Sequence, residues 1–254
     1  MDRFRTADGL DIAYHEWGTP HRGATPPVVL QHGFSQSAHR EFDDRGVVPA
    51  LVAAGRYVVG IDSRGHGASS APHDPACYGD ANMASDLSAL IDVIGEPAVH
   101  LVGYSMGTIV SLVAAGRDTR IERLVVGGLG ARVVERNGMG AGLDAMADQL
   151  VTDDPDAIDD VGRGYRAYVE SVGADRRALG AALRMLNTTP IDLAAVTMPT
   201  LVLVGRTDDM AERPHVLADA LPNATLQLVD GDHATSIASA EFSAAIVEFL
   251  APSR

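Results

Sequence analysis

The sequence predicts an α/β fold: a mostly parallel, doubly wound sheet of about eight strands flanked by helices, with a small helical insertion. Three observations carry this expectation. Near-continuous Val, Leu and Ile runs alternate with stretches of helical period, the pattern of parallel βαβ units covered on both faces. In LVGYSMGTIV (101–110), one such run passes into a helix through a corner of two glycines flanking a serine. From about residue 131 to 195 the alternation stops and short helical patterns follow one another.

The elements follow in order. DIAYHEWG (11–18) alternates in polarity and reads as an early antiparallel strand, while VVLQHG (28–33) and RYVVGIDS (56–63) read as buried strands. VHLVGYS (99–105), IERLVVGGLG (121–130), TLVLVGR (200–206) and ATLQLVDG (224–231) complete the set. GDANMASDLSALIDVIG (79–95) places Met83, Leu87, Leu90 and Ile94 at helical spacing, and EFSAAIVEFL (241–250) closes the chain the same way. Residues 1–130 and 196–254 are therefore expected to form the core, with 131–195 as a helical cap at one edge of the sheet; the alternative is a continuation of the core with irregular helices.

The 254 residues suit one large domain or one domain with an insertion. The net charge of −14 argues against a nucleic-acid partner, whose phosphates would be repelled. Cys77 is the single cysteine, so no intrachain disulfide forms, which suits a reducing compartment. The first residues, MDRFRTADGLDIAY, lack an apolar core of a signal peptide. No apolar run approaches the roughly 18–20 residues of a membrane span. A cytoplasmic protein with a small-molecule partner is expected, and nothing in the chain points to an oligomeric state.

The corner at Ser105 is where the sequence speaks to chemistry. Ligands of an open parallel sheet bind beyond the carboxyl ends of its strands, and Ser105 stands at such an end. A sharp strand-to-helix turn crowds the residues two before and two after its apex, so glycine suits 103 and 107. The hydroxyl then lies near the amino end of the next helix, where free N–H groups favour negative charge. G-x-S-x-G alone is common, but at the end of a buried strand and opening a helix it marks a nucleophile. Such a serine needs a histidine base oriented by a carboxylate. GRTDDM (205–210) and VDGDHATSI (229–237) supply acids and His233 at the ends of the next two strands.

QHGF (31–34), DSRGHGAS (62–69), GYSMG (103–107) and the pair GRTD (205–208) with GDH (231–233) together resemble the α/β-hydrolase fold family, in particular its small serine carboxylesterase-like members. The resemblance runs from about residue 10 to 250. It implies a triad of Ser105, Asp208 and His233, with the family spacing G-x-x-D selecting Asp208 over its neighbour Asp209. It also implies an oxyanion hole made by the backbone N–H groups of Met106 and Phe34. Asp62, Arg64 and Gly65 recur in the family as structural residues; His66 is read as structural with them, and His32 as holding its loop rather than performing catalysis. Two positions depart from its pattern: Ser35 stands where many relatives carry proline, and Thr108 where many have a further glycine. Both departures bear on the shape expected of the acyl pocket.

The expected reaction is hydrolysis of a small to medium carboxylic ester through an acyl-serine. Phe34, Met139, Leu143, Met146, Tyr165 and Tyr168, with Leu183 and Met185, are candidates for the substrate pocket, against the alternative that they pack the insertion's own core. Neither metal nor organic cofactor is expected, since H-E-x-x-H, paired C-x-x-C and G-x-x-x-x-G-K-[ST] are absent. Serine at the elbow disfavours the aspartate-nucleophile chemistry of epoxide hydrolases and haloalkane dehalogenases. Enol-lactone, C–C bond or perhydrolase chemistry on the same triad is the alternative, and a small-molecule receptor with slow hydrolysis is a further one.

Overall fold

The structure is a computed structural model that describes residues 1–135 and 139–252, with the side chains of 139–142 outside that description. An eight-stranded sheet runs in the order β1-β2-β4-β3-β5-β6-β7-β8. Its strands are β1 (Asp2–Arg5), β2 (Asp11–Trp17), β3 (Val28–Gln31), β4 (Val58–Ile61), β5 (Val99–Tyr104), β6 (Ile121–Gly127), β7 (Thr200–Gly205) and β8 (Ala224–Val229). Strand β2 is antiparallel to both neighbours, and all pairings from β4 through β3 to β8 are parallel. The sequence picked out seven of these eight strands. β1, DRFR, escaped because it is a short, mostly exposed edge strand with one apolar residue.

The central strands are buried on both faces, and their side chains alternate between two cores. On one face Leu30, Val58, Val102, Val125 and Leu203 pack with α1 (Val47–Ala53) and α9 (Ala240–Phe249). On the other, Val29, Val59, Leu101, Leu124 and Val202 pack with α2 (Asp80–Ile94), α3 (Met106–Ala115) and α8 (Pro214–Ala220). Met83, Leu87, Leu90 and Ile94 all lie on the buried stripe of α2.

Between β6 and β7 the chain runs through α4 (Ala131–Glu135), α5 (Met139–Val151), α6 (Asp160–Ser171) and α7 (Arg176–Leu183). Asp159 and Asp175 cap α6 and α7, accepting hydrogen bonds from N–H groups of their first turns. Ala147, Leu150, Val169, Leu179 and Leu183 bury themselves in the larger core. Among the described residues no helix is long and apolar enough to cross a membrane.

Candidate active site

Ser105 sits between β5 and α3 with φ 55° and ψ −120°, a left-handed conformation that a non-glycine residue adopts only when its surroundings impose it. The glycines on either side explain the tolerance. A Cβ on Gly103 would lie 2.4 Å from the Gly107 carbonyl oxygen, and one on Gly107 would lie 2.1 Å from that of Gln31. Neither contact is possible, so the corner closes only with glycine at both positions. The Ser105 N–H donates to the Gly127 carbonyl at 2.9 Å, tying the apex to the end of β6.

His233 and Asp208 converge on this apex from the ends of β8 and β7. His233 Nε2 is 3.0 Å from Ser105 Oγ, and its Nδ1 is 2.9 Å from Asp208 Oδ2 and 3.1 Å from Oδ1. The Asp208 side chain is fully buried, whereas that of His233 is 29% exposed, so the ring reaches the cavity while the carboxylate does not. Asp208 Oδ1 also accepts from the Met210 N–H at 2.9 Å, which fixes the carboxylate's rotation. Asp209, the neighbouring candidate, is exposed. Tyr104, inside the elbow motif, donates its hydroxyl to the His233 carbonyl at 2.6 Å, and its ring packs on the imidazole at 5.2 Å. Burial raises the Tyr104 pKa, so the hydroxyl keeps the proton it donates.

The Phe34 loop approaches Ser105 from the end of β3. Gly33 lies against the serine: a Cβ there would be 3.1 Å from that of Ser105. The Gly33 carbonyl accepts from His32 Nδ1 at 2.7 Å and from the Gln36 N–H at 3.3 Å. In a trans peptide the Phe34 N–H points the opposite way. His32 is set as a neutral Nδ1–H tautomer, because the Ser63 N–H donates to its Nε2 at 3.0 Å and burial lowers its pKa. Among the described residues neither the Phe34 nor the Met106 N–H meets an acceptor. Met106 opens α3, where the first N–H groups have no intrahelical partner.

The remaining motif residues are structural in their surroundings. Asp62 accepts from the Ala38 and Ala68 N–H groups, each at 2.9 Å. Buried Arg64 pairs with Asp86 and Asp8, and His66 Nδ1 lies 3.0 Å from the Arg64 carbonyl. Cys77 is half-buried in a short turn far in sequence from any strand end.

A cavity of about 310 Å³ opens over Ser105 and His233. Of the candidates drawn from the sequence, Phe34, Leu143, Met146, Tyr165, Tyr168 and Leu183 stand in its wall. Met185 does not; it packs against the cluster of Tyr78, Ala178, Ala181 and Ala182 instead. The Met139 side chain lies outside the described residues. Ile109, Leu129, Leu186 and Met210 belong to the wall but were not singled out. They sit at element ends or after α7, where helical period gives no signal of which face meets a ligand.

The two departures from the family pattern have distinct consequences. Ser35 has φ 60°, a backbone conformation proline is unable to adopt, and its Oγ donates to the Phe34 carbonyl at 2.7 Å. The loop therefore takes a course here that the common proline would forbid. Thr108 is buried and does not line the cavity. Its hydroxyl donates to the Gly127 carbonyl at 2.7 Å and accepts from the Gly127 N–H at 3.1 Å, clipping α3 to the end of β6.

Comparison with known proteins gives a consistent picture. The profile of the alpha/beta hydrolase fold family matches residues 26–161. A putative carbamate hydrolase, RutD, of Variovorax paradoxus is 30% identical over 251 residues, covering 88% of this chain and 91% of that protein. Epoxide hydrolase A of Mycobacterium tuberculosis is 33% identical over 109 residues; the match covers 43% of this chain and 32% of that protein's length. Among solved structures, a hydrolase from Pseudomonas aeruginosa PA01 superposes with a TM-score of 0.81 at 27% identity, covering 99% of this chain and 98% of that one.

Proposed function

The chain belongs to the α/β-hydrolase fold family, and we propose that it hydrolyses a neutral carboxylic ester of small to medium size through an acyl-serine on Ser105. The observation that carries this reading is the continuous relay from Asp208 through His233 to Ser105 Oγ, open to a mostly apolar cavity.

His233 Nε2 takes the proton of Ser105 as Oγ adds to the ester carbonyl. Asp208 holds the Nδ1 proton and balances the imidazolium charge. The Met106 and Phe34 N–H groups receive the oxyanion, each contributing about 3 kcal/mol to the tetrahedral intermediate. His233 then protonates the leaving alcohol as the C–O bond breaks. A water molecule gives its proton to His233 and attacks the acyl-serine, releasing the acid and restoring the hydroxyl. No step calls on a metal or organic cofactor.

The insertion 131–195 acts in this reading as a cap, since α5, α6 and α7 all contribute to the cavity wall. A volume of about 310 Å³ lies at the lower end of the range for small-molecule sites, roughly 300–1,000 Å³, and so favours short acyl chains. Epoxide opening through a covalent ester requires a carboxylate where Ser105 stands, which sets this chain apart from the chemistry named for that relative.

The likeness to a putative carbamate hydrolase over most of both chains favours one second reading, a carbamate attacked by the same serine. The test is a p-nitrophenyl ester series from acetate to palmitate beside p-nitrophenyl carbamates, with wild type and Ser105→Ala. Turnover of short esters, lost in Ser105→Ala, supports the ester reading. Turnover of carbamates alone supports the second. Neither, above the Ser105→Ala background, refutes both.

A further inference from the structure

A buried carboxylate that does not line the cavity packs against the Phe34 loop. Glu41 belongs to a π-helical turn, His39–Asp43, and only 3% of it is exposed. Its Oε2 accepts from the Gly33 N–H at 2.9 Å. A Cβ on Gly33 would be 2.8 Å from this oxygen and 3.1 Å from Ser105 Cβ, so Gly33 is held between Glu41 and the serine. Among the described residues the cation beside the carboxylate is Arg45, whose Nε lies 3.9 Å from Oε1. Arg45 Nη1 in turn donates to the carbonyl of Ala234, the residue after His233, at 2.7 Å.

Stability alone is a poor reason for this arrangement. A buried carboxylate with one N–H donor and a distant guanidinium is weakly compensated, and an apolar side chain of similar size would often serve stability better. What Glu41 does provide is an anchor. His32 and the Gln36 N–H hold the Gly33 carbonyl; Glu41 holds the N–H of the same residue. Gly33 is thus fixed at both polar groups, which sets the plane of the peptide ending in the Phe34 N–H.

We propose that Glu41 is a positioning residue for hydrolysis: it orients the Gly33–Phe34 peptide toward the oxyanion and, through Arg45, ties that loop to the one bearing His233. This rests on the proposed role of the Phe34 N–H. The π-turn matters because it brings Glu41 inward while leaving Arg45, four residues on, free to span the gap to the His233 loop. Single-turn π segments recur at functional sites for such local re-aiming of side chains.

The test compares wild type, Glu41→Gln, Glu41→Ala, Arg45→Ala and Ser105→Ala. Steady-state kinetics use p-nitrophenyl butanoate. Inhibition by phenylboronic acid probes the tetrahedral state, since Ser105 Oγ bonds to boron while His233 takes the hydroxyl proton. Butanoate inhibition probes ground-state binding. Complete loss of one oxyanion donor costs about 10²–10³-fold in kcat, and misorienting it costs less. Glu41→Ala is therefore expected to lower kcat about 10–100-fold, to change KM by less than about threefold, and to weaken phenylboronic acid as much as kcat.

Butanoate affinity should hardly change. Glu41→Gln keeps an acceptor for Gly33 and should recover most of the rate. Arg45→Ala, on the protein surface, should fold even if Glu41→Ala does not, and should lower kcat about threefold or more. The proposal is overturned if Glu41→Ala keeps its kcat, if Glu41→Gln is as impaired as Glu41→Ala, if butanoate and boronate affinities fall together, or if Arg45→Ala matches wild type. A wild type whose turnover is independent of Ser105 would instead overturn the proposed function. Boronate affinity in Glu41→Gln against Glu41→Ala would still report on the anchor.

Discussion

Asp208→Asn would remove one charge and almost no volume, yet the structure implies a large loss of activity. Asp208 Oδ1 accepts from the Met210 N–H at 2.9 Å, so an asparagine keeps its carbonyl oxygen there. The amide nitrogen then replaces Oδ2, 2.9 Å from His233 Nδ1. The Nδ1–H would then face an amide donor at 2.9 Å, with the retained oxygen at 3.1 Å already held by the Met210 N–H, a conflict relieved if the imidazole moved its proton to Nε2. That tautomer points N–H at Ser105 Oγ and is unable to accept its proton. The expected fall in kcat is about 10³–10⁴-fold, or ~4–5 kcal/mol in the barrier, with KM little changed. Initial rates on p-nitrophenyl acetate from pH 6 to 10 measure it, with residual activity rising toward high pH as hydroxide replaces the lost base. Asp209→Asn is the control and should stay within about threefold of wild type, because its side chain is exposed. An Asp208→Asn enzyme with a tenth of wild-type activity, or an equally impaired Asp209→Asn, would refute the reasoning.

Three further outcomes are expected. Ser105→Ala and His233→Ala should each cost several orders of magnitude in kcat, and the double variant no more than the worse single one; multiplicative losses would mean the two do not act as a unit. Ser35→Pro should impair folding or activity, because φ 60° is closed to proline; a stable, active Ser35→Pro variant would show that the loop has a second course. Stability should fall on mild acidification: burial holds His66 and His100 at about 3, against about 6.5 unfolded, so between these values the unfolded chain binds more protons. The stabilisation is complete well above pH 6.5, and by pH 5 roughly 2 kcal/mol per histidine has been lost. Thermal melts across this range should show the loss, and His66→Asn, which keeps a short donor for the Arg64 carbonyl, should reduce the slope; an unchanged slope would contradict the assignment of His66.

The fold was legible wherever burial leaves a periodic mark. The buried strands announce themselves as apolar runs, and the α2 stripe of Met83, Leu87, Leu90 and Ile94 is periodic because it faces one sheet. β1 left no such mark, since an edge strand of four residues needs no apolar run. The juxtaposition of Ser105, His233 and an acid at 208 or 209 was legible because strand ends in a parallel sheet meet at one edge, and because glycine spacing records the steric demand of the corner; the choice of Asp208 came from the family resemblance. The Glu41–Arg45 pair was not. SAHREFDDR reads as a solvated charged segment, and only the π-turn puts one of its carboxylates in the interior. Met185 is open in the sequence to either the pocket or the insertion's own packing. Its spacing after α7 resembles a pocket residue, but the chain bends it toward Tyr78.

The central claim is a covalent acyl-enzyme on Ser105. Acid quench of wild type mixed with p-nitrophenyl butanoate, followed by intact mass and peptide mapping, tests it most directly. A mass gain of one butanoyl group is expected on the peptide carrying Ser105, more abundant in the Asp208→Asn enzyme if deacylation is slowed more than acylation, and absent from Ser105→Ala. Hydrolysis with no adduct on that peptide in either enzyme, or an adduct on another residue that persists in Ser105→Ala, would contradict it.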